Sequence, residues 1–246
     1  MAAAGSGSRF DILPMASGEC LRLGRDGRLS GPYAGTHGFL TALEHWWTVL
    51  RVPETVGALP FVGGWLLYLG YELASEIEPR LRLPRSPDPV AALAIRAPAA
   101  WIRDRATGQA WLVAEPGFDI LLDEFEHRVQ ALHAPADAGG AAFRIEEEEP
   151  EQFLQSVRRG LEYIAAGDVY QTNLSRGWQA RAASPVEPVD VYRRLRATNP
   201  SPFAALLRYE DFALLSSSPE RLMSIRGNTV STRPIAGTRP RGATPE

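Results

Sequence analysis

The chain contains no lysine; all 26 of its basic residues are arginine. No side-chain amine is therefore present to act as nucleophile, Schiff-base former or general base. Cysteine is nearly absent too. Cys20 stands alone, so an intrachain disulfide and a cysteine-rich metal site are both excluded, and a reducing cytoplasm fits best. The histidines, His37, His45, His127 and His133, are scattered, with no metal-ligand spacing such as HExxH. Long apolar runs are missing. The stretch Phe61 to Tyr71 is too short to span a bilayer and carries the pair Gly63-Gly64. Met1 to Ser8 is small and polar, without the basic-then-apolar order of a signal peptide. A strong charge of one sign is lacking as well. The formal net charge of −3 argues against a nucleic-acid or membrane-surface partner.

What is present is an ordinary globular composition. The 246 residues are 45% hydrophobic, enough for one large or two small domains. No internal repeat is visible. Phe39 to Leu50 has apolar residues at helical spacing. Phe61 to Tyr71 reads as a buried strand, its glycine pair marking a bulge or a close backbone approach. Ala91 to Trp101 and Ala110 to Ala114 read as strands around a turn at Asp104 to Gly108. Pro98 makes the first an edge or broken strand. Leu121 to Leu132 reads as a helix. A flexible stretch at Pro135 to Gly140 and an acidic run, Glu146 to Glu149, then separate residues 1–143 from 144–246.

Beyond that break, Glu151 to Ala166 predicts an amphipathic helix stopped by Gly167. The acidic run suits its positive end. Val169 to Ser175 reads as a strand with Gln171, Asn173 and Ser175 on one face. A short helix spans Val189 to Ala197. Strands follow at Phe203 to Tyr209, Phe212 to Ser217, Leu222 to Ile225 and Thr229 to Arg233. The expected fold class is α+β: largely antiparallel sheets packed together and flanked by helices.

Candidate chemistry gathers near the end of the chain. Thr232-Arg-Pro-Ile-Ala-Gly-Thr-Arg-Pro-Arg-Gly242 holds Arg233, Arg239 and Arg241 among prolines and glycines. Guanidinium forks suit carboxylates, although structural salt bridges use the same residues. Gly237 and Thr238 can offer backbone N–H groups and a hydroxyl to a ligand, or form a plain tight turn. Glu220, after Pro219 at a strand end, can serve as a general acid or base, or cap the next segment as a surface glutamate.

Jointly, four segments resemble the chorismate-utilising enzymes. They are Gly167-Asp-Val-Tyr-Gln-Thr-Asn-Leu-Ser-Arg176, Asn199-Pro-Ser-Pro-Phe203, Ser218-Pro-Glu-Arg221 and Thr232-Arg-Pro-Ile-Ala-Gly-Thr-Arg-Pro-Arg241, in the family order. Phe61 to Glu72 also looks like the N-terminal domain of the ammonia-using synthases. The resemblance implies an N-terminal region over 1–143 and the first part of a chorismate-binding catalytic domain over 144–246. It implies a fragment, because a complete member is nearly twice as long. The later half would bring the Mg²⁺-binding glutamates, a histidine and most substrate-carboxylate contacts, so no metal ligand is expected in this chain. Ser8 to Leu13 resembles a segment that normally follows an earlier strand and a serine-containing motif.

The family divides by nucleophile. Isochorismate synthases carry a water-activating lysine where this chain has Gln171; the synthases that use ammonia accept glutamine. Asn173-Leu174 and the hairpin Leu206 to Arg221 look like aminodeoxychorismate synthase component I. Ala236 points toward anthranilate synthase, since many aminodeoxychorismate synthases have lysine there. The resemblance implies Mg²⁺ on the ring carboxylate and the departing hydroxyl. It implies Glu220 as the acid, a role that needs burial or a nearby carboxylate to keep its carboxyl protonated. Gln171, Ala236, Gly237 and Thr238 would line the chorismate pocket, and a glutamine amidotransferase partner would supply ammonia. Pro202 and Phe203 match one wall of a tryptophan pocket in relatives.

Overall fold

Pro98 divides the apolar run of residues 90–104 into two strands that belong to different sheets. In the computed structural model, which describes residues 8–35, 37–52, 59–131, 142–235, 237 and 240, the chain forms two compact units. One draws on residues 1–133 and 192–246, the other on 134–191.

The first unit opens with strands β1 (Phe10–Met15), β2 (Cys20–Gly24) and β3 (Leu29–Ser30), then helix α1 (Phe39–Leu50). Strand β4 (Gly64–Leu69), a single 3-10 turn (Tyr71–Leu73) and the short helix α2 (Ala74–Ile77) follow. Next come β5 (Val90–Ala97), β6 (Ala99–Asp104), β7 (Ala110–Ala114) and helix α3 (Ile120–Gln130). All sheet pairings are antiparallel: one sheet runs β3-β2-β5-β4, the other β1-β6-β7. Each of β5 and β6 is thus central in its own sheet. Pro98 breaks the expected strand but does not put it at an edge. It lacks an N–H and its ring fixes φ, so a ladder cannot continue through it. Its carbonyl still accepts the Glu115 N–H at 2.8 Å.

All eight residues of β5 are buried. Leu21, Ala92 and Ala94 of the first sheet pack with Phe39, Ala42 and Trp46 of α1 and with Leu73. The 3-to-4 spacing of the α1 residues is what turns them toward one face. No side chain caps α1 from its own N-terminus. Instead the Glu76 carboxylate accepts the N–H groups of Phe39 and Leu40 at 2.8 and 2.9 Å, satisfying donors that a helix start leaves open. The stretch Phe61 to Tyr71 holds a strand only over Gly64–Leu69, and it is half-buried with Leu67 and Leu69 exposed. It is an edge strand of its sheet, paired with β5 alone.

One charged pair lies inside this unit. Arg96, on β5, is 1% exposed and forms a two-pronged pair with Glu115, which is 7% exposed. The Arg96 guanidinium also donates to the Gly64 carbonyl at 2.8 Å and lies 4.5 Å from the Trp65 ring centre. Gly63 has φ +130°, and a side chain there would run into the Glu115 carboxylate. The close approach read from the glycine pair is therefore real, and its cause is this ion pair.

The same unit ends with most of helix α5, introduced below, and strands β10 (Phe203–Tyr209), β11 (Phe212–Ser218), β12 (Arg221–Arg226) and β13 (Thr229–Arg233). They form two hairpins, β10-β11 and β12-β13. A small core joins Tyr192 and Ala204, with Leu206 and Leu215 against it.

The second unit contains β8 (Phe143–Glu147), helix α4 (Pro150–Ala166), β9 (Trp178–Ala182) and the start of α5 (Pro188–Thr198). Strands β8 and β9 pair antiparallel. Helix α4 starts at Pro150, where a missing N–H costs nothing. It ends at Gly167 with φ +81°; Gly167 and Asp168 donate back to Ile164 and Tyr163. The expected strand Val169 to Ser175 does not form. Strand propensity needs a neighbouring ladder, and among the described residues none pairs there. Thr172 and Leu174 instead lie beside Gly160, the buried residue of α4.

Two outcomes are expected. Arg96→Met leaves Glu115 buried without its partner, at a cost of about 3–5 kcal/mol. Adding Glu115→Leu should regain most of it, as read from urea unfolding; a double variant as weak as the single would contradict the pairing. The second concerns acid. Hydrogen bonding from Arg9 holds the Asp104 carboxyl below its usual value. A depressed carboxyl stabilises the fold above its unfolded value, near pH ~4. That contribution disappears as the pH falls through the lower folded value. The urea midpoints of wild type and Arg9→Gln should differ near neutrality and converge in acid; a pH-independent gap would rule out this pair as its source.

Candidate active site

Strand β11 ends at Ser218 and β12 begins at Arg221, so Pro219 and Glu220 form the corner between the two hairpins. The Glu220 side chain is exposed, but it is not free. Its Oε1 accepts the Ile235 N–H at 2.9 Å. The β12-β13 register explains the contact: Arg221 lies opposite Arg233, so the residue before one faces the residues just after the other. The carboxylate is thereby fastened to the segment that leads from β13 to Gly237. Gly237 is exposed, and a side chain there would meet open space.

Phe203 lies at the same corner. It pairs with Ser218 in the β10-β11 ladder, and the Arg221 guanidinium sits 5.2 Å from its ring centre. Pro202 precedes it, half-buried. The structure thus brings Phe203, Glu220 and the approach to Gly237 together. Ala236, Thr238, Arg239 and Arg241 lie outside the described residues. Gln171 belongs to the second unit, where it is exposed and its amide donates to Asn173 at 3.4 Å.

Serines that the sequence reading passed over make this corner. The Ser201 hydroxyl, on a residue only 3% exposed, donates to the Ser218 carbonyl. The Ser217 hydroxyl donates to the Asn199 carbonyl. The signal available in the sequence was a serine held between two prolines, Pro200 and Pro202.

Other reactive groups are held in structural surroundings. Burial pushes the Cys20 thiol up, which works against thiolate chemistry. His45 packs edge-on against Tyr33, and His127 donates from Nδ1 to the Asp123 carbonyl at 2.8 Å. Two open hollows of about 390 and 370 Å³ flank α3, away from the Glu220 corner. Among the described residues, no three His, Cys, Asp or Glu side chains converge as metal ligands would. The proton chemistry open to the corner is that of Glu220.

The chain is similar to several known proteins. The chain is 37% identical to the aminodeoxychorismate synthase of Streptomyces griseus, over 85% of its own length and 30% of that protein's. It is 37% identical to the anthranilate synthase component 1 of Thermus thermophilus, over 97% of its length and 53% of that protein's. With the aminodeoxychorismate synthase component 1 of Bacillus subtilis it shares 35% identity, over 84% of its length and 46% of that protein's. The chain spans about half the length of these relatives, or less. The crystal structure of anthranilate synthase component I from Streptococcus pneumoniae has the same fold, with a TM-score of 0.73 at 22% identity over 94% of this chain and 55% of that one. The family model for chorismate binding enzymes matches residues 31–246, and the chain belongs to that family.

Proposed function

We propose that the protein aminates chorismate to 4-amino-4-deoxychorismate, on the route to 4-aminobenzoate and folate, with ammonia delivered by a glutamine amidotransferase subunit. The observation that carries this reading is the Glu220 carboxylate tied to the backbone of the Thr232–Gly237 segment. A ring seated over that corner would take the carboxyl out of water. The carboxyl would give its proton to the C4 oxygen as the C–O bond breaks, so the hydroxyl leaves as water. Ammonia supplies the new C–N bond and loses a proton. Gly237 would let the backbone approach the ring closely, with Ala236 and Thr238 beside it. Gln171, in the position of a water-activating lysine in isochorismate synthases, supports ammonia over water as nucleophile. Magnesium is proposed to act in the whole protein through residues other than those described. The cytoplasm is the proposed location; among the described residues no helix is long and apolar enough to cross a membrane.

A second reading, anthranilate synthase component I, has a specific observation in its favour. Ala236 matches that branch, and relatives with both names are equally similar at 37% identity. Both readings share the acid step and differ in the ring carbon that receives nitrogen. Because the chain covers 30–53% of the relatives compared, turnover is proposed for the whole gene product and not for residues 1–246 alone.

The deciding assay supplies chorismate, Mg²⁺ and ammonium to the whole gene product and to residues 1–246 in parallel. The whole product is expected to release 4-amino-4-deoxychorismate, scored as 4-aminobenzoate once a lyase is added. Anthranilate would establish the second reading instead. Glu220→Gln should lower turnover about 10²-fold or more; near-normal turnover would remove its acid role.

A further inference from the structure

A carboxyl that must meet one substrate atom needs a fixed backbone beneath it, because small displacements of a reacting group cost rate steeply. Glu220 stands on an exposed corner, so its placement depends on what braces that corner. Asn199-Pro200-Ser201-Pro202 holds Ser201 between two prolines. Each proline fixes its own φ and drives the residue before it toward an extended backbone. Pro219 does the same to Ser218. The β10-β11 register pairs Phe203 with Ser218, and its next positions outward set residue 201 against residue 220.

The two stiff segments are tied twice. Ser201 donates to the Ser218 carbonyl, and Ser217 donates to the Asn199 carbonyl. Ser218 carries the link onward. Its hydroxyl accepts the Glu220 N–H at 3.3 Å and donates to the Glu220 carbonyl at 3.1 Å. The Glu220 carboxylate then takes the Ile235 N–H. Hydrogen bonds joined through Ser218 itself therefore link a buried hydroxyl to the backbone of the candidate acid.

We propose that Ser201 and Ser218 are positioning residues for Glu220, acting on its backbone without touching substrate. The inference rests on the reading of Glu220 as the proton donor. A serine that merely stabilised the hairpin would change folding; one that aims the carboxyl changes the chemical step.

The test uses the whole gene product with ammonium as nitrogen source. Ser201→Ala and Ser218→Ala should each lower kcat about tenfold while KM for chorismate stays within about twofold. Thermal unfolding followed by circular dichroism should stay cooperative. Ser218→Thr keeps the hydroxyl on an accessible corner and should restore kcat. In a Glu220→Gln background the same alanine changes should cost less than about twofold, because the group they aim no longer gives a proton. Equal losses in both backgrounds, or normal kcat in the single serine variants, would overturn the proposal while leaving Glu220 as the acid. Near-normal turnover of Glu220→Gln itself would remove the acid reading, and the positioning role with it. If Ser201→Ala does not fold, Ser218→Ala decides the question.

Discussion

The buried pair of Arg96 and Glu115 is the contact on which the first unit turns. It lies where one apolar run passes from sheet to sheet at Pro98. Arg96 belongs to β5 and Glu115 directly follows β7, so the pair ties the two sheets across the break that proline imposes. Two charges taken out of water are tolerable only when paired and further hydrogen-bonded. Here the guanidinium also donates to the Gly64 carbonyl and lies against the Trp65 face, while its buried Nε has no hydrogen-bond partner among the described residues. Gly63 meets the same constraint, since only a residue without a side chain can pass the Glu115 carboxylate.

Proline sets the working corner by a related logic. Pro98 ends one ladder and begins another; Pro219 stiffens the chain just before Glu220, and Pro200 and Pro202 stiffen the segment paired opposite it. Between such stiff points, a few side-chain hydroxyls suffice to fix direction. Ser201 and Ser217 cross-link the two segments, and the Ile235 N–H holds the carboxylate. The chain belongs to a family of chorismate binding enzymes, and the acid proposed here is the carboxylate of the β11-β12 corner, held by the Ile235 N–H.

Much of this was legible in the sequence where one local rule decides. Helical spacing placed α1 over Phe39–Leu50, and the glycine at 167 ended α4 as its left-handed conformation requires. The strands read at Leu222 to Ile225 and Thr229 to Arg233 form the last hairpin. The reading failed where the outcome depends on a distant partner. Val169 to Ser175 has the composition of a strand but no ladder among the described residues, so composition alone misled. The apolar stripe of α4 was visible in its periodicity, yet Leu154, Leu161 and Ile164 remain exposed in the structure. Glu115 gave no hint of its buried arginine, because their sequence separation hides a contact that only the crossing of two sheets creates. At the site, Glu220 and Phe203 were found through motif order. The serine ties between them came from strand register, which no single segment displays.

The most direct measurement is a crystal structure of the whole gene product with chorismate bound. The account predicts a Glu220 carboxyl oxygen within hydrogen-bond reach of the C4 oxygen, about 2.6–3.2 Å, with the Ile235 N–H still on its other oxygen. A ring bound elsewhere, with Glu220 facing solvent, would contradict it.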